Sequence, residues 1–171
     1  MRRAIVLTLL ALSCGRGPPL TVQNDAAADP SAPAWARGSS TPARVVADAV
    51  VAARAWRGAS GDLDGWTIRL TDMPIMSCGG QTIGAWGYLG CTEYGTITLR
   101  LDNSACIEAT NLAHEVGHVV IDDPGHADPR WHDPAFWDQI RTALLASVPA
   151  DDADCATTLA SPEWFYDRNQ P

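Results

Sequence analysis

Apolar residues recur through Ala109, Leu112, Ala113, Val116 and Val120 at the three- and four-residue spacing of one buried helix face. The stretch Ile107 to Ile121 contains no proline and is predicted as a helix. Ile107, Asn111, His114, His118 and Ile121 lie along its opposite side. Asn103 or Ser104 can cap its start, Glu108 suits the positive end of its dipole, and Pro124-Gly125 stop it. An earlier helix opens at Thr41-Pro42, turns Val46, Ala49, Val50 and Ala53 inward, and ends at Gly58. Strict alternation marks two strands. In one, Trp66, Ile68 and Leu70 alternate with Thr67, Arg69 and Thr71; the other runs from Thr96 to Leu101. Between them Met73 to Gly90 is irregular and glycine-rich. Asp133-Pro134 opens a last helix reaching about Ser147, with Trp137, Ile140, Leu144 and Leu145 on its inner side.

These elements predict an α+β domain: a short, mostly antiparallel sheet packed on the 107–121 helix, with a further helix after it. The domain is expected to span residues 41–171. Residues 1–13 read as a signal peptide, with Arg2 and Arg3 ahead of an apolar run from Ala4 to Leu12 that is too short to cross a bilayer. Leu10-Ala11-Leu12-Ser13-Cys14 resembles the lipobox of bacterial lipoproteins, although Ala11 and Leu12 depart from its usual pattern. That resemblance implies lipidation at Cys14 and an exported protein, anchored by lipid alone in the bacterial cell envelope, facing the periplasm or the surface. Ordinary secretion is the alternative. Residues 14–40, rich in Ala, Pro, Ser, Gly and Asp, read as a disordered tether carrying an isolated Trp35.

The formal charge of −8 falls to −10 once Arg2 and Arg3 are removed, which argues against nucleic acid and anionic head groups as partners. All 12 basic residues are arginine, and no mechanism follows from that. Without Cys14 four cysteines remain, an even number suited to an oxidising compartment. Three pairings are possible. The favoured one joins Cys78 to Cys91 across the glycine-rich loop and Cys106 to Cys155 at the C-terminal segment. Cys91 as a thiolate metal ligand is the weaker reading.

Chemistry concentrates in the helix. All four histidines fall within nineteen positions, and the first two belong to His114-Glu115-Val116-Gly117-His118. Positions i and i+4 share a helix face, so two imidazoles converge while Glu115 stands beside them. This HExxH arrangement offers two nitrogen ligands for one zinc ion and a carboxylate placed to take a proton from water. The bland alternative is a surface helix with two solvated histidines. Catalytic zinc uses three protein ligands, so His132 or His126 must complete the set. Asp122, Asp123, Asp128 and Asp133 are alternative oxygen ligands, second partners of a histidine, or solvated loop carboxylates.

The metzincin pattern HExxHxxGxxH does not fit. Ile121 stands at its glycine and Pro124 at its third histidine, so His126 would need a loop two residues longer, and no methionine follows Met76. The segment His132-Asp133-Pro134-Ala135-Phe136-Trp137 instead resembles SprT-like and WLM-type minimal gluzincins, where a histidine and an aromatic pair open the helix after HExxH. The resemblance covers Thr96 to about Leu145. It implies a zincin-like fold, zinc held by His114, His118 and His132, with His126 as the alternative third ligand, and Glu115 as general base. It also makes the strand Thr96 to Leu101 the edge along which a substrate backbone lies.

The expected function is an exported zinc-dependent peptidase acting on a peptide or protein. His126, Tyr88, Tyr94 and Tyr166 are candidate oxyanion donors. The rival is a non-catalytic zinc-binding envelope lipoprotein, in which the site serves stability or a partner. Glu115 speaks against that rival, because a structural zinc site needs no carboxylate there. The sequence carries no signal for cleavage preference or oligomeric state.

Overall fold

The computed structural model describes residues 18–57, 63–82, 87–101, 105–146, 157 and 159–160. The signal segment, Cys14, Tyr166 and the side chains of Cys106 and Cys155 lie outside the described residues, as do the expected caps Asn103 and Ser104. Strand β1 is Thr21–Asn24, helix α1 Thr41–Arg57 and strand β2 Thr67–Thr71. Two short strands follow, β3 (Ser77–Cys78) and β4 (Gln81–Thr82), then β5 (Gly90–Glu93) and β6 (Thr96–Arg100). Helix α2 (Ala105–Ile121) and helix α3 (Pro134–Leu145) follow, and three 3-10 turns (Asp25–Ala28, Ala34–Arg37 and Pro129–His132) join these elements. The architecture is mixed, as an α+β reading expects.

The main sheet has the order β1-β2-β6-β5. β1 pairs parallel with β2, β2 parallel with β6, and only β5 runs antiparallel, against β6. This corrects the expectation of a mostly antiparallel sheet. A second, two-stranded antiparallel sheet joins β3 to β4. Register aligns Val22 with Ile68, Ile68 with Ile97, and Leu70 with Leu99. These side chains share one face, and Ile68, Leu70, Ile97 and Leu99 are wholly buried in one core with residues of α1 and α2.

The 14–40 tether is also corrected. From residue 18 onward the segment belongs to the fold, because β1 is an edge strand and Ala26, Ala32 and Ala36 are buried. Trp35 packs against the core. Asp25 pairs with Arg69 at 2.5 Å, Asn24 donates to the Ala36 carbonyl at 2.6 Å, and the Thr41 hydroxyl donates to the Trp35 carbonyl at 2.5 Å. A four-residue strand is too short for periodicity to register. Its pairing comes through α1, which supplies the long crossover that two parallel strands require.

Helix α1 is rotated slightly from the expected face. Val45, Ala49, Ala52, Ala53 and Trp56 are buried, whereas Val46 and Val50 sit at the flank. In α2 the expected stripe of Ala109, Leu112, Ala113, Val116 and Val120 is buried throughout. The two helices meet at Gly117, where a Cβ would fall 2.6 Å from the Trp56 ring and 2.7 Å from that of Trp131. No other residue type permits this approach. Trp56 then donates its indole N–H to the Ala113 carbonyl at 2.8 Å. Helix α3 starts as expected, with the Asp133 carboxylate accepting the Ala135 amide at 2.9 Å and Trp137, Ile140 and Leu144 buried. Leu159, from the tail, is buried in the same core.

Candidate metal centre and cleft

Helix α2 presents His114 and His118 one turn apart, with ring centroids separated by 5.0 Å. The third imidazole comes from the loop that follows. Asp122 takes a positive φ of 51°, ending the helix in the left-handed conformation usually given to glycine, and His126 does the same at 56°. That double reversal carries His126 back over the helix. Its Nε2 lies 3.1 Å from His114 Nε2, and the ligand atoms of His114, His118 and His126 all lie within 4.8 Å of one another. Two nitrogens on one tetrahedral zinc stand about 3.3 Å apart, so this spacing suits a shared ion.

His132, the preferred third ligand, lies outside this group, and the alternative, His126, lies within it. His132 is exposed, and its Nε2 is 3.3 Å from the backbone oxygen of His126. The cause is local. Trp131 and His132 close the 3-10 turn Pro129–His132, where successive side chains point about 120° apart. Trp131 is fully buried, so His132 faces out.

Trp131 was not found from sequence, and it forms the floor of the site. Its ring contacts those of His114, His118 and His126 at centroid distances of 5.0, 4.8 and 4.5 Å. Its N–H donates to Asp123 Oδ2 at 2.9 Å. The same carboxylate accepts the amides of Asp128 (2.6 Å) and Gly125 (3.2 Å), so Asp123 ties the loop together. Its backbone oxygen stands 2.7 Å from His118 Nδ1, which assigns the proton to Nδ1 and leaves Nε2 bare for a metal. Asp123 thus orients a histidine, one of the roles open to it from sequence. Asp128 caps the 3-10 turn and pairs with Arg130, and Asp133 caps α3.

Burial is the main cause holding the imidazoles neutral. It pushes His114 down to about 3, helped by His118 and His126. His118 is lowered by burial against the opposing bond to Asp123, and His126 by burial and then His118. Neutral imidazole is the form that ligates a metal. The three residues therefore fit a zinc ion in number, donor type and spacing.

Glu115 sits beside this group, only 8 % exposed. Its Oε2 accepts a 2.7 Å hydrogen bond from the Thr92 hydroxyl on β5. Burial raises its pKa to about 7, opposed by that bond. Gly90, on the same strand, makes room for it: a Cβ there would fall 2.6 Å from Glu115 Cγ. Thr92 and Gly90 carry no sequence signal, since each acquires its role only by lying across from α2.

A cleft of about 660 Å³ opens over the site and is lined by His114, Glu115, His118 and His126 as well as by β5. The strand expected to offer an edge, β6, is interior and paired on both sides; among the described residues the main sheet ends at β5, beside the cleft. The Cys78–Cys91 disulfide is present as expected and ties the β3–β4 hairpin to β5, so Cys91 is no thiolate ligand. Of the candidate oxyanion donors, Tyr88 and Tyr94 line the cleft, while His126 joins the other two histidines. No described helix is long and apolar enough to cross a membrane. No protein family, curated protein or solved structure matches this chain.

Proposed function

We propose that the protein is a zinc-dependent peptidase of zincin-like design, working outside the cytoplasm. One observation carries the reading: three imidazoles converge within 4.8 Å beside a buried carboxylate, in a cleft bordered by the last strand of the main sheet. His114, His118 and His126 would hold the ion. When bound, zinc would polarise a peptide carbonyl and make water a stronger nucleophile. Glu115 accepts the proton of the attacking water and returns it to the leaving amine. The Thr92 hydroxyl holds the carboxylate in place for both transfers. Trp131 and Asp123 keep the imidazoles aligned, and the apolar floor excludes water from behind. An extended peptide can add to the β5 edge, aligning its backbone with the site. The disulfide supports an oxidising compartment, in keeping with export by a signal peptide and lipidation at Cys14.

The test combines zinc analysis with hydrolysis of a peptide mixture by the purified protein. One zinc per chain and chelator-sensitive cleavage are expected. Protein that takes up no zinc, or that binds zinc and cuts nothing, would sink the proposal.

A further inference from the structure

Beyond Glu115 the cleft continues along β5 to the turn joining it to β6, where Trp66, Glu93 and Tyr94 line it. Tyr94 is 95 % exposed. It also takes a positive φ of 48°, followed by Gly95 at 77°, so both central positions of a two-residue hairpin are left-handed. Asparagine or aspartate usually stands first in such a turn, and a bulky aromatic is disfavoured there. The fold gains no burial from this ring. Trp66, half-buried, lines the same part of the cleft, next to the backbone bond from Thr67 to the Gly95 carbonyl. Glu93 lines the same cleft, and its Oε2 accepts the Gly79 amide at 3.1 Å. Asp122 is a further acidic residue of the lining, and no arginine contributes to it among the described residues.

We propose that Trp66, Glu93 and Tyr94 form a subsite for a cationic side chain, arginine or lysine, of the peptide being cut. This rests on the peptidase reading above. Aromatic faces attract a guanidinium or ammonium group through their quadrupole, and a carboxylate beside them adds charge and a hydrogen-bond acceptor. The position follows from strand geometry. Thr92 holds Glu115 from β5, and Tyr94 stands about 7 Å further on, in the turn that follows the strand. An extended substrate beside that edge would present the recognised side chain about two residues from the scissile bond. The protein is therefore expected to cut next to basic segments and to reject acidic ones.

Two measurements test this. The first incubates the zinc-loaded protein with a mixed peptide library and identifies the cut positions by mass spectrometry. The second measures binding of three peptides, identical except for arginine, norleucine or glutamate at the selected position, to zinc-loaded Glu115→Gln protein. Arginine is expected to be favoured over norleucine about ten-fold, with most of the preference lost in Glu93→Gln and about three-fold lost in Tyr94→Ala. Glu93→Arg should turn the preference towards glutamate, a gain that a misfolded variant could not produce. Cleavage with equal use of arginine and norleucine, or a preference unmoved by Glu93→Gln, would overturn the subsite and leave the peptidase standing. Zinc-loaded protein that neither binds nor cuts any peptide would overturn both.

Discussion

Helix α2 carries two buried glutamates two turns apart, Glu108 and Glu115, and the contrast between them separates burial from function. Glu108 is fully buried, and neither of its oxygens has a hydrogen-bond partner among the described residues. Burial raises its carboxyl to about 8, with Asp48 adding repulsion and Arg44 partly opposing. At neutral pH it holds its proton, so it does not supply the dipole with the charge expected from sequence. Glu115 is nearly as buried and is raised for the same first reason, to about 7. Yet it has the Thr92 hydroxyl, three imidazoles nearby and an open cleft. A shifted carboxyl is thus no evidence of catalysis alone. What sets Glu115 apart is the open cleft and the three imidazoles beside it.

The largest expected effect falls on Glu115. Its replacement by Gln should lower peptide hydrolysis by about a hundred- to ten-thousand-fold while one zinc per chain is retained. Hydrolysis at the wild-type rate would remove the distinction between the two glutamates. Next come the two loop histidines. His126→Ala should weaken zinc binding more than a hundred-fold in chelator competition, and His132→Ala by about ten-fold at most, since it lies outside the histidine group, against the His126 carbonyl. The reverse ranking would restore His132 as the third ligand.

Glu108 should act on stability instead. A carboxyl whose folded pKa is raised binds its proton more tightly in the native state, so stability falls as pH rises from about 4.5 to about 8. The loss is on the order of a few kcal/mol across that window, and about 1 kcal/mol of it between pH 7 and 8. Above pH 7 the Glu115 contribution is largely complete, so Glu108 dominates that last unit. Urea unfolding of zinc-free protein should show the decline, and Glu108→Gln should flatten it. A decline that persists in the variant would assign it elsewhere. The smallest effect is expected from Thr92→Val, which removes a bond that lowers the Glu115 pKa. The acidic limb of the activity profile should move to higher pH, costing a few-fold in rate at pH 6.

Much of this was legible in the chain, and the misses share a cause. The buried stripe of α2, the Asp133 cap and the Cys78–Cys91 pair could be read because each depends on residues close in sequence. The HExxH pair was legible for the same reason, since one helical turn suffices to bring His114 and His118 together. From sequence His126 comes second because it needs a loop two residues longer than the metzincin spacing, while His132 stands in the segment that resembles minimal gluzincins. Asp122 and His126 nevertheless take the left-handed conformation themselves, held by the Asp123 carboxylate. β1 was missed because its four residues form a strand only against β2.

Local period and capping were enough to read the helices, two of the sheet's strands and the two histidines on one helix face. Long-range folding set which further histidine joins that pair, which described strand ends the main sheet, and that Trp131, Thr92 and Gly90 lie against the candidate site. The physical reason is range. Helical period and caps act over a few residues, whereas strand pairing and the meeting of a loop with a helix depend on closures that no local pattern records.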